Sequence, residues 1–565
     1  MTEPRPPRVG GLPSREELDR RREQMFPRLR EDQIGRLSRF GKERTLGPGE
    51  LLWQDGEYGV PFHVALEGEL EVIHPDPRGE QLVTVHVPGE FTGEISLLYG
   101  RRSLVRGRAR TRLRVLAIEQ EQFKKVIQDD AELSELIMRA FILRRVGLLV
   151  NRWGDVVLVG SRHSAATLRL QEFLTRNGHP HQYLDVDADR DVQPFLDHFK
   201  VGVDEIPILI CRGDKVLKNP SNAEVAECLG FNAGLDLTTL RDVVVVGAGP
   251  AGLAAAVYAA SEGLDALVLE ANVPGGQAGS SSRIENYLGF PTGISGQALT
   301  ARALSQAEKF GATVAIARGA ARLECDRQPF SIELATGGSI QARAVIVATG
   351  AVYRRLELPE LSRFEGVGVY YAASFVEAQR CGTDEVIVVG GGNSAGQAAT
   401  FLARTSRTVH ILVRGEGLAE SMSRYLIRRI QETPNIVLHT RTQVVGLEGN
   451  DHLEQVTWLD DARGDRRTLP IRHLFFMAGA VPNTEWLGGC VQVDDKGFIL
   501  TGPDLSPERL TQAGWPLQRR PLLMETSVPR VFAVGDVRSS SVKRCASAVG
   551  EGSICVQLVH RALAE

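Results

Sequence analysis

The sequence predicts a multidomain chain. A small antiparallel β-barrel comes first, a short α/β unit next, and two doubly wound α/β units run to the end. Three observations predict this. Strand-like and helix-like segments alternate from Asp242 to the last residue, and two similar glycine-rich turns recur in that stretch, each between a strand and a helix. Residues 43–120 instead show period-two apolar spacing broken by regular turn signals. A chain of 565 residues is also too long for one hydrophobic core.

Residues 1–13 are polar and proline-rich with no apolar h-region, and are expected to form a flexible tail, not a signal peptide. The first domain is placed at 14–150. Its strands are LLWQDGE, FHVALEGELEVI, LVTVHVPGE and RLRVLAIEQ, and AELSELIMRAFILRRVGLL (131–149) follows with apolar residues at helical spacing. The second domain, 151–230, opens with a buried strand after Asp155, then a helix (AATLRLQEFLTRNG), a strand (QYLDVD) and a further strand from Pro207, a β-α-β-α-β start. Residues 231–241 read as a linker. The rest divides into one unit made of 242–353 and 482–565 and a second, 354–481, inserted between them.

Composition is ordinary for a globular protein, with 43% hydrophobic and 24% charged residues and a net charge of -4. Acids and bases are mixed along the chain, which argues against a nucleic-acid partner. No apolar run reaches the roughly 18 residues a bilayer span needs, so no membrane role and a cytoplasmic location are expected. The seven cysteines (Cys211, Cys228, Cys325, Cys381, Cys490, Cys545 and Cys555) are scattered and contain no Cys-x-x-Cys. Their spacing fits neither a disulfide framework nor a zinc site, so no metal is expected and most are read as buried free thiols.

The first glycine turn, DVVVVGAGPAGLAAAVYAA, carries Gly247, Gly249, Pro250, Ala251 and Gly252 between a four-valine strand and a helix. Gly247 permits the tight turn, Gly249 lets backbone approach a pyrophosphate, and Gly252 lets helix and strand pack closely. The helix N-terminus offers amides and a positive dipole to phosphates. A second strand ends at Glu270, whose carboxylate can accept from a ribose hydroxyl.

From this turn onward the sequence resembles the thioredoxin reductase family of flavoproteins, over most of 240–565. PGGQAGSSSRIENYLGFP is similar to the family segment lying against FAD, which places Gly275, Gly276, Gln277, Glu285 and Asn286 there. IVATG brings Thr349 and Gly350 to the crossing between two Rossmann-like domains. TSVPRVFAVGDVRSSSVKRCASAVGEGSICVQ resembles the closing motif. The resemblance implies that Gly535 and Asp536 hold the ribitol chain, with Lys543, Arg544, Cys545 and Ala546 beside the isoalloxazine. The second turn, VIVVGGGNSAGQAATFLA, carries Gly390, Gly392, Asn393, Ser394 and Ala395, and its next strand leads into Arg414 where an acid would repel a 2′-phosphate. That favours NADPH over NADH. The family usually has a His-Arg-Arg cluster here; this chain has Val413-Arg414-Gly415, with Arg424 as a substitute, and a solvated strand end is the plain alternative for Arg414. The resemblance also implies a homodimer and a rotation of the NADPH domain about crossings near Tyr353 and Val481.

The family's redox dithiol is missing: Ala372-Ala373-Ser374-Phe375 stands in its place. Cys381 reads as a structural thiol, and Cys545 as packing or as a weak redox candidate. The 151–230 domain resembles thioredoxin or glutaredoxin, with Pro207 at the family's cis-proline and Ser161-Arg162-His163-Ser164 where Cys-x-x-Cys belongs. A docking or scaffold role is therefore expected, with His163 as a helix-start residue or a functional one. Residues 40–150 resemble a cyclic-nucleotide-binding domain through PGEFTGEISLLYGRRSLVRGRA. Gly93 and Glu94 then fall on the ribose, Arg102 and Ser103 on the cyclic phosphate, and Leu104 replaces a small residue. A vestigial or dimerising barrel is the other reading of that domain, and no helix-turn-helix follows it. Two functions stand open: an oxidoreductase passing hydride from NADPH to FAD and on to a ferredoxin-like protein, a quinone, oxygen or a disulfide, and a flavin-based sensor or scaffold with little turnover.

Overall fold

The computed structural model describes residues 15–76, 79–93, 97, 102–151, 156–188, 205–211, 215–355, 358–373, 375–419 and 422–565. Its front unit is a β-roll of two antiparallel sheets. One holds Lys42–Leu46, Leu113–Ile118 and Phe62–Glu67; the other holds Leu51–Trp53, Arg106–Ala109, Leu70–Asp76 and Gly79–His86. Alternation along these strands puts one face of each inward. The roll is closed by the helices Gln120–Asp129 and Ala131–Asn151, where Phe62 stacks on Phe123 (ring centroids 4.3 Å apart) and Phe91 and Phe141 complete an aromatic core.

The middle unit is a four-stranded mixed sheet ordered Lys215–Lys218, Ile208–Cys211, Val156–Gly160 and Gln182–Asp185. The last two strands are parallel, and the other pairs are antiparallel. The helix Ala165–Arg176 connects the parallel pair; Ser164 caps it, accepting from Thr167 N. Ile206–Pro207 is cis. The segment read as a linker forms turns but is pinned: Asn232 Nδ2 donates to Ile316 O and Asn232 Oδ1 accepts from Ile316 N, both at 2.8 Å. Asn232 thereby substitutes for a neighbouring strand, a role that periodicity cannot reveal.

The third unit is built on a seven-stranded sheet. Thr313–Ile316, Ala266–Glu270, Arg241–Val246 and Ser339–Val347 run parallel, and Val531–Ala533 pairs with Ser339–Val347. Phe330–Leu334 and Ala320–Glu324 add an antiparallel edge. The four valines of the first strand are fully or nearly fully buried, as a parallel strand covered on both faces requires. The inserted fourth unit has a five-stranded parallel sheet, Val369–Tyr370, His473–Phe476, Val386–Val389, Val409–Leu412 and Ile436–His439, flanked by the meander Thr442–Leu469. The chain enters and leaves this insertion through two strands, Ala351–Val352 and Val481–Pro482, which pair with each other.

One expectation is corrected. Cys325 and Cys490 form a disulfide, with Cα atoms 6.1 Å apart. The partners are separated by 165 residues, so sequence spacing could not pair them; the sheet edge at Ala320–Glu324 brings Cys325 to the loop after the short helix Glu485–Leu487. The remaining five cysteines are not disulfide-bonded. Among the described residues no helix is long and apolar enough to cross a membrane, and no group of His, Cys, Asp or Glu is arranged to hold a metal ion.

Candidate functional site

The first glycine turn stands at the carboxyl end of Arg241–Val246, where the helix Pro250–Ser261 begins. Gly247 has φ +108°, and a Cβ there would lie 2.4 Å from Ala348 O. At Gly252 a Cβ would lie 1.9 Å from Gly247 O, so helix and turn touch through backbone alone. Gly249 differs: nothing lies within 4 Å of its would-be Cβ, and the same holds for Gly350 across the cleft. The turn is closed on its packing side and open where a pyrophosphate would sit. Leu253 N is bonded to Gly249 O (2.9 Å), which leaves the amides of Ala251 and Gly252 at the mouth of the helix.

Glu270 ends the neighbouring strand, buried, with Oε2 accepting from Ala248 N and Oε1 from Asn272 N, both at 2.9 Å. Burial pushes its carboxyl up, against those amides and the Arg176 guanidinium. A carboxylate has about four acceptor positions, so beside the backbone amides of Ala248, Asn272 and Val273 one is left for a ribose hydroxyl. Gly275 N donates to Ala248 O (2.7 Å), which clamps the Gly275–Gln277 segment onto the turn, and Gln277 Nε2 donates to Ala351 O. Asn286 is exposed, while Glu285 pairs with Arg429 of the inserted unit at 2.7 Å. Asp536 lies in the 3-10 turn Gly535–Val537; burial raises its carboxyl, and Lys543 opposes the rise. Arg544 is the N-cap of the helix Cys545–Ala564, so Cys545 and Ala546 open its first turn. Burial, then Asp536, push the Cys545 thiol up to about 11, which keeps it protonated near neutrality.

Sequence reasoning missed several groups that hold this cleft together. Glu551 accepts from Gly535 N (2.7 Å) and pairs with Arg538 (2.7 Å), fixing the turn that carries Asp536; its signal was the acid in VGEGS. Asn483 clasps the crossings, Nδ2 donating to Thr349 O (2.9 Å) while its own carbonyl accepts from Thr349 Oγ1 (2.7 Å). Arg176, from the middle unit, donates to Gly276 O (2.8 Å), a contact with no local sequence signal.

The second turn repeats the plan at the carboxyl end of Val386–Val389. A Cβ at Gly390 would lie 2.6 Å from Met477 O, whereas Gly392 faces open space. Ala395 is fully buried, and Asn393 Oδ1 accepts from Ser423 N (2.7 Å). Arg414 follows Val409–Leu412, and Arg424 opens the helix Arg424–Glu432. Both are exposed, and neither has a carboxylate partner among the described residues. Tyr353, at the crossing, lies near Ser394 of the second turn and within the field of Asp536; burial raises its phenol.

Ala372 and Ala373 precede the helix Phe375–Cys381; Ser374 lies outside the described residues. Cys381 ends that helix and donates to Glu377 O; burial raises its thiol well above the usual range. In the middle unit Ser161 Oγ donates to Asp187 (2.6 Å) and His163 is exposed. In the front unit a cavity of about 410 Å³ is lined by Gly93 and Ser103 among others. Ser103 Oγ donates to Val105 O (2.6 Å) and accepts from Trp53 Nε1 (3.1 Å). Arg102 is buried outside that lining, and Arg144 faces the cavity, donating to Met25 O and Gly93 O at 2.8 Å each. Glu94 lies outside the described residues.

Residues 241–552 match the family described as pyridine nucleotide-disulphide oxidoreductase, and residues 43–130 match the cyclic nucleotide-binding domain. The thioredoxin reductase of Listeria innocua is 31% identical over 327 residues, which cover 58% of this chain and 95% of that protein. The Mycolicibacterium smegmatis thioredoxin reductase is 32% identical over 332 residues, 58% of this chain and 98% of the relative. NADPH-dependent thioredoxin reductase 3 of Arabidopsis thaliana is 32% identical over 331 residues, and the match spans 58% of its length. Among solved structures, the thioredoxin reductase of Lactococcus lactis in its FR conformation superposes with a TM-score of 0.51 at 28% identity, covering 57% of this chain and 99% of that one.

Proposed function

Because this chain belongs to the pyridine nucleotide-disulphide oxidoreductase family, we propose that it is an FAD-dependent NADPH oxidoreductase of the thioredoxin reductase type that works without a Cys-x-x-Cys pair. The observation that carries the reading is the paired glycine turns, each packed shut behind and open in front. FAD, when bound, takes hydride from NADPH and delivers electrons to an acceptor. The chain's own groups bind and orient. Gly249 and the amides of Ala251 and Gly252 receive the FAD pyrophosphate, and Glu270 receives its ribose. Gly275, Gly276, Gln277, Asn286, Thr349 and Gly350 line its path, Gly535 and Asp536 hold the ribitol, and Arg544, Cys545 and Ala546 edge the ring. Gly390, Gly392, Asn393, Ser394 and Ala395 receive the NADPH pyrophosphate, with Arg414 and Arg424 on its 2′-phosphate.

Anaerobic titration of the purified yellow protein with NADPH tests this. The flavin absorbance is expected to bleach, and to return when a quinone, a ferredoxin-like protein or a disulfide substrate is added. Flavin that stays oxidised at excess NADPH would rule out the oxidoreductase.

A second reading, a flavin-based sensor, is favoured by two observations: neither place for a dithiol holds cysteine, and the Cys545 thiol is held protonated. Bleaching by one equivalent with no turnover on any acceptor would select it. The strand order of the middle unit supports a thioredoxin-like docking module, and the match over 43–130 supports a cyclic nucleotide as the input of the front unit. A cytoplasmic homodimer completes the proposal.

A further inference from the structure

Where the middle unit, the inserted unit and the helix Gly296–Lys309 meet, they enclose a cavity of about 470 Å³. From the middle unit come Arg162, His163 and Asp185, at the carboxyl ends of its two parallel strands and the start of the 12-residue helix Ala165–Arg176. That edge is where open α/β sheets receive ligands. From the inserted unit come Asp384, Arg472 and His473, at the amino ends of Val386–Val389 and His473–Phe476, together with Arg380 and His452. The Gly390–Gly392 turn lies at the opposite, carboxyl end of that sheet, so this cavity is separate from the nucleotide crevice.

Its lining carries three guanidinium groups, Arg162, Arg380 and Arg472, and several imidazoles against two carboxylates, Asp185 and Asp384. Arg162 Nε pairs with Asp185 Oδ2 at 2.9 Å. Arg380 lies close to the Tyr370 hydroxyl. Arg472 is exposed with no carboxylate partner among the described residues. His163 and His452 face each other across the seam, ring centroids 6.2 Å apart, one from each unit. Asp384 Oδ2 lies 3.6 Å from His473 Nε2, an imidazole that burial pushes down to about 4 and so holds neutral, and the His473 ring stacks on Tyr370. Guanidinium and imidazole donors therefore outnumber acceptors, in a volume typical of small-molecule sites, at a helix N-terminus that adds its dipole.

We propose that this seam binds a small multivalent anion, a phosphate ester or a polycarboxylate, gripped by Arg162, Arg380 and Arg472 with His163 and His452. Because the grip is drawn from two units, occupancy fastens the middle unit to the inserted one.

The test uses the full chain loaded with FAD and saturated with NADP⁺, so that both nucleotide turns are filled. Calorimetric titrations with inorganic pyrophosphate and with citrate follow. One saturable site per chain is expected; a preference for pyrophosphate identifies a phosphoryl ligand, and a preference for citrate a carboxylate one. The double substitution Arg162→Gln/Arg472→Gln is expected to weaken binding at least tenfold, and Arg414→Gln to leave it unchanged. Arg472→Gln alone, at an exposed residue without a carboxylate partner, keeps the test valid if the double variant misfolds, and is expected to weaken binding severalfold. No saturable binding of either anion, binding indifferent to the seam substitutions, or binding lost with Arg414 each overturns the proposal.

Discussion

Replacing Arg414 by Gln isolates the term that would select NADPH. The side chain is exposed and has no carboxylate partner among the described residues, so its removal breaks no internal pair, and the whole effect falls on the ligand. A charge-assisted hydrogen bond to a phosphate is worth about 1.5–3 kcal/mol. Exposure and salt screening put this one at the lower end, about 1.5 kcal/mol, which is about tenfold in affinity. The assay is stopped-flow reduction of the bound flavin by NADPH and by NADH, compared as kcat/KM. Arg414→Gln is expected to lower the NADPH value about tenfold and leave the NADH value within about twofold. Adding Arg424→Gln should lower the NADPH value further, and rising salt should erase the difference between wild type and variant. An unchanged NADPH-to-NADH ratio in the double variant would refute the assignment and move the 2′-phosphate away from this strand end.

Four further substitutions probe the cleft and the stability of the fold. Gly252→Ala forces a Cβ to 1.9 Å from Gly247 O and should cost both flavin content and Tm, whereas Gly249→Ala meets open space and should lower flavin content while the apoprotein keeps its Tm. Cys325→Ser should lower stability by about 2–4 kcal/mol in denaturant unfolding, and dithiothreitol should bring wild type to the variant's value without affecting the variant. Glu172 is pushed up to about 9 by burial and by sharing a hydrogen bond with Glu377, against Arg176 and Arg380. A carboxyl raised on folding binds more protons in the native state, so its stabilisation is full below its ordinary value near 4.5 and fades as pH rises through about 9. Thermal melts should show the wild type losing stability across that window and Glu172→Gln showing a flatter profile.

What the sequence made legible was local. The glycine turns, Glu270 and Asp536 sit on short strand–turn–helix segments, and each residue's role depends on backbone geometry within a few positions. The front β-roll was legible for the same reason, because period-two alternation is set by each strand alone. What stayed hidden was contact between distant segments. Cys325 meets Cys490 only after the sheet edge is built. Glu551 reaches Gly535 only because Gly552, where a Cβ would lie 2.2 Å from Ala251 O, lets two helices touch. Arg176 reaches Gly276 only once the middle unit docks. Nothing in the hydrophobic pattern of any of these segments encodes its partner.

The reciprocal bonds between Thr349 and Asn483, and the pairing of Ala351–Val352 with Val481–Pro482, put both ends of the inserted unit side by side. In topological terms the insertion is a cassette on a two-stranded stalk. A short turn from Gly350 to Asn483, whose backbone atoms are already hydrogen-bonded at 3.1 Å, would close the parent sheet without stretching the chain. The parent unit would lose the stalk, the Glu285–Arg429 ion pair and the bond from Gln277 to Ala351 O, and none of its seven strands. A nucleotide unit mounted in this way can be exchanged for another in a single step, while the fold that carries the first turn stays intact.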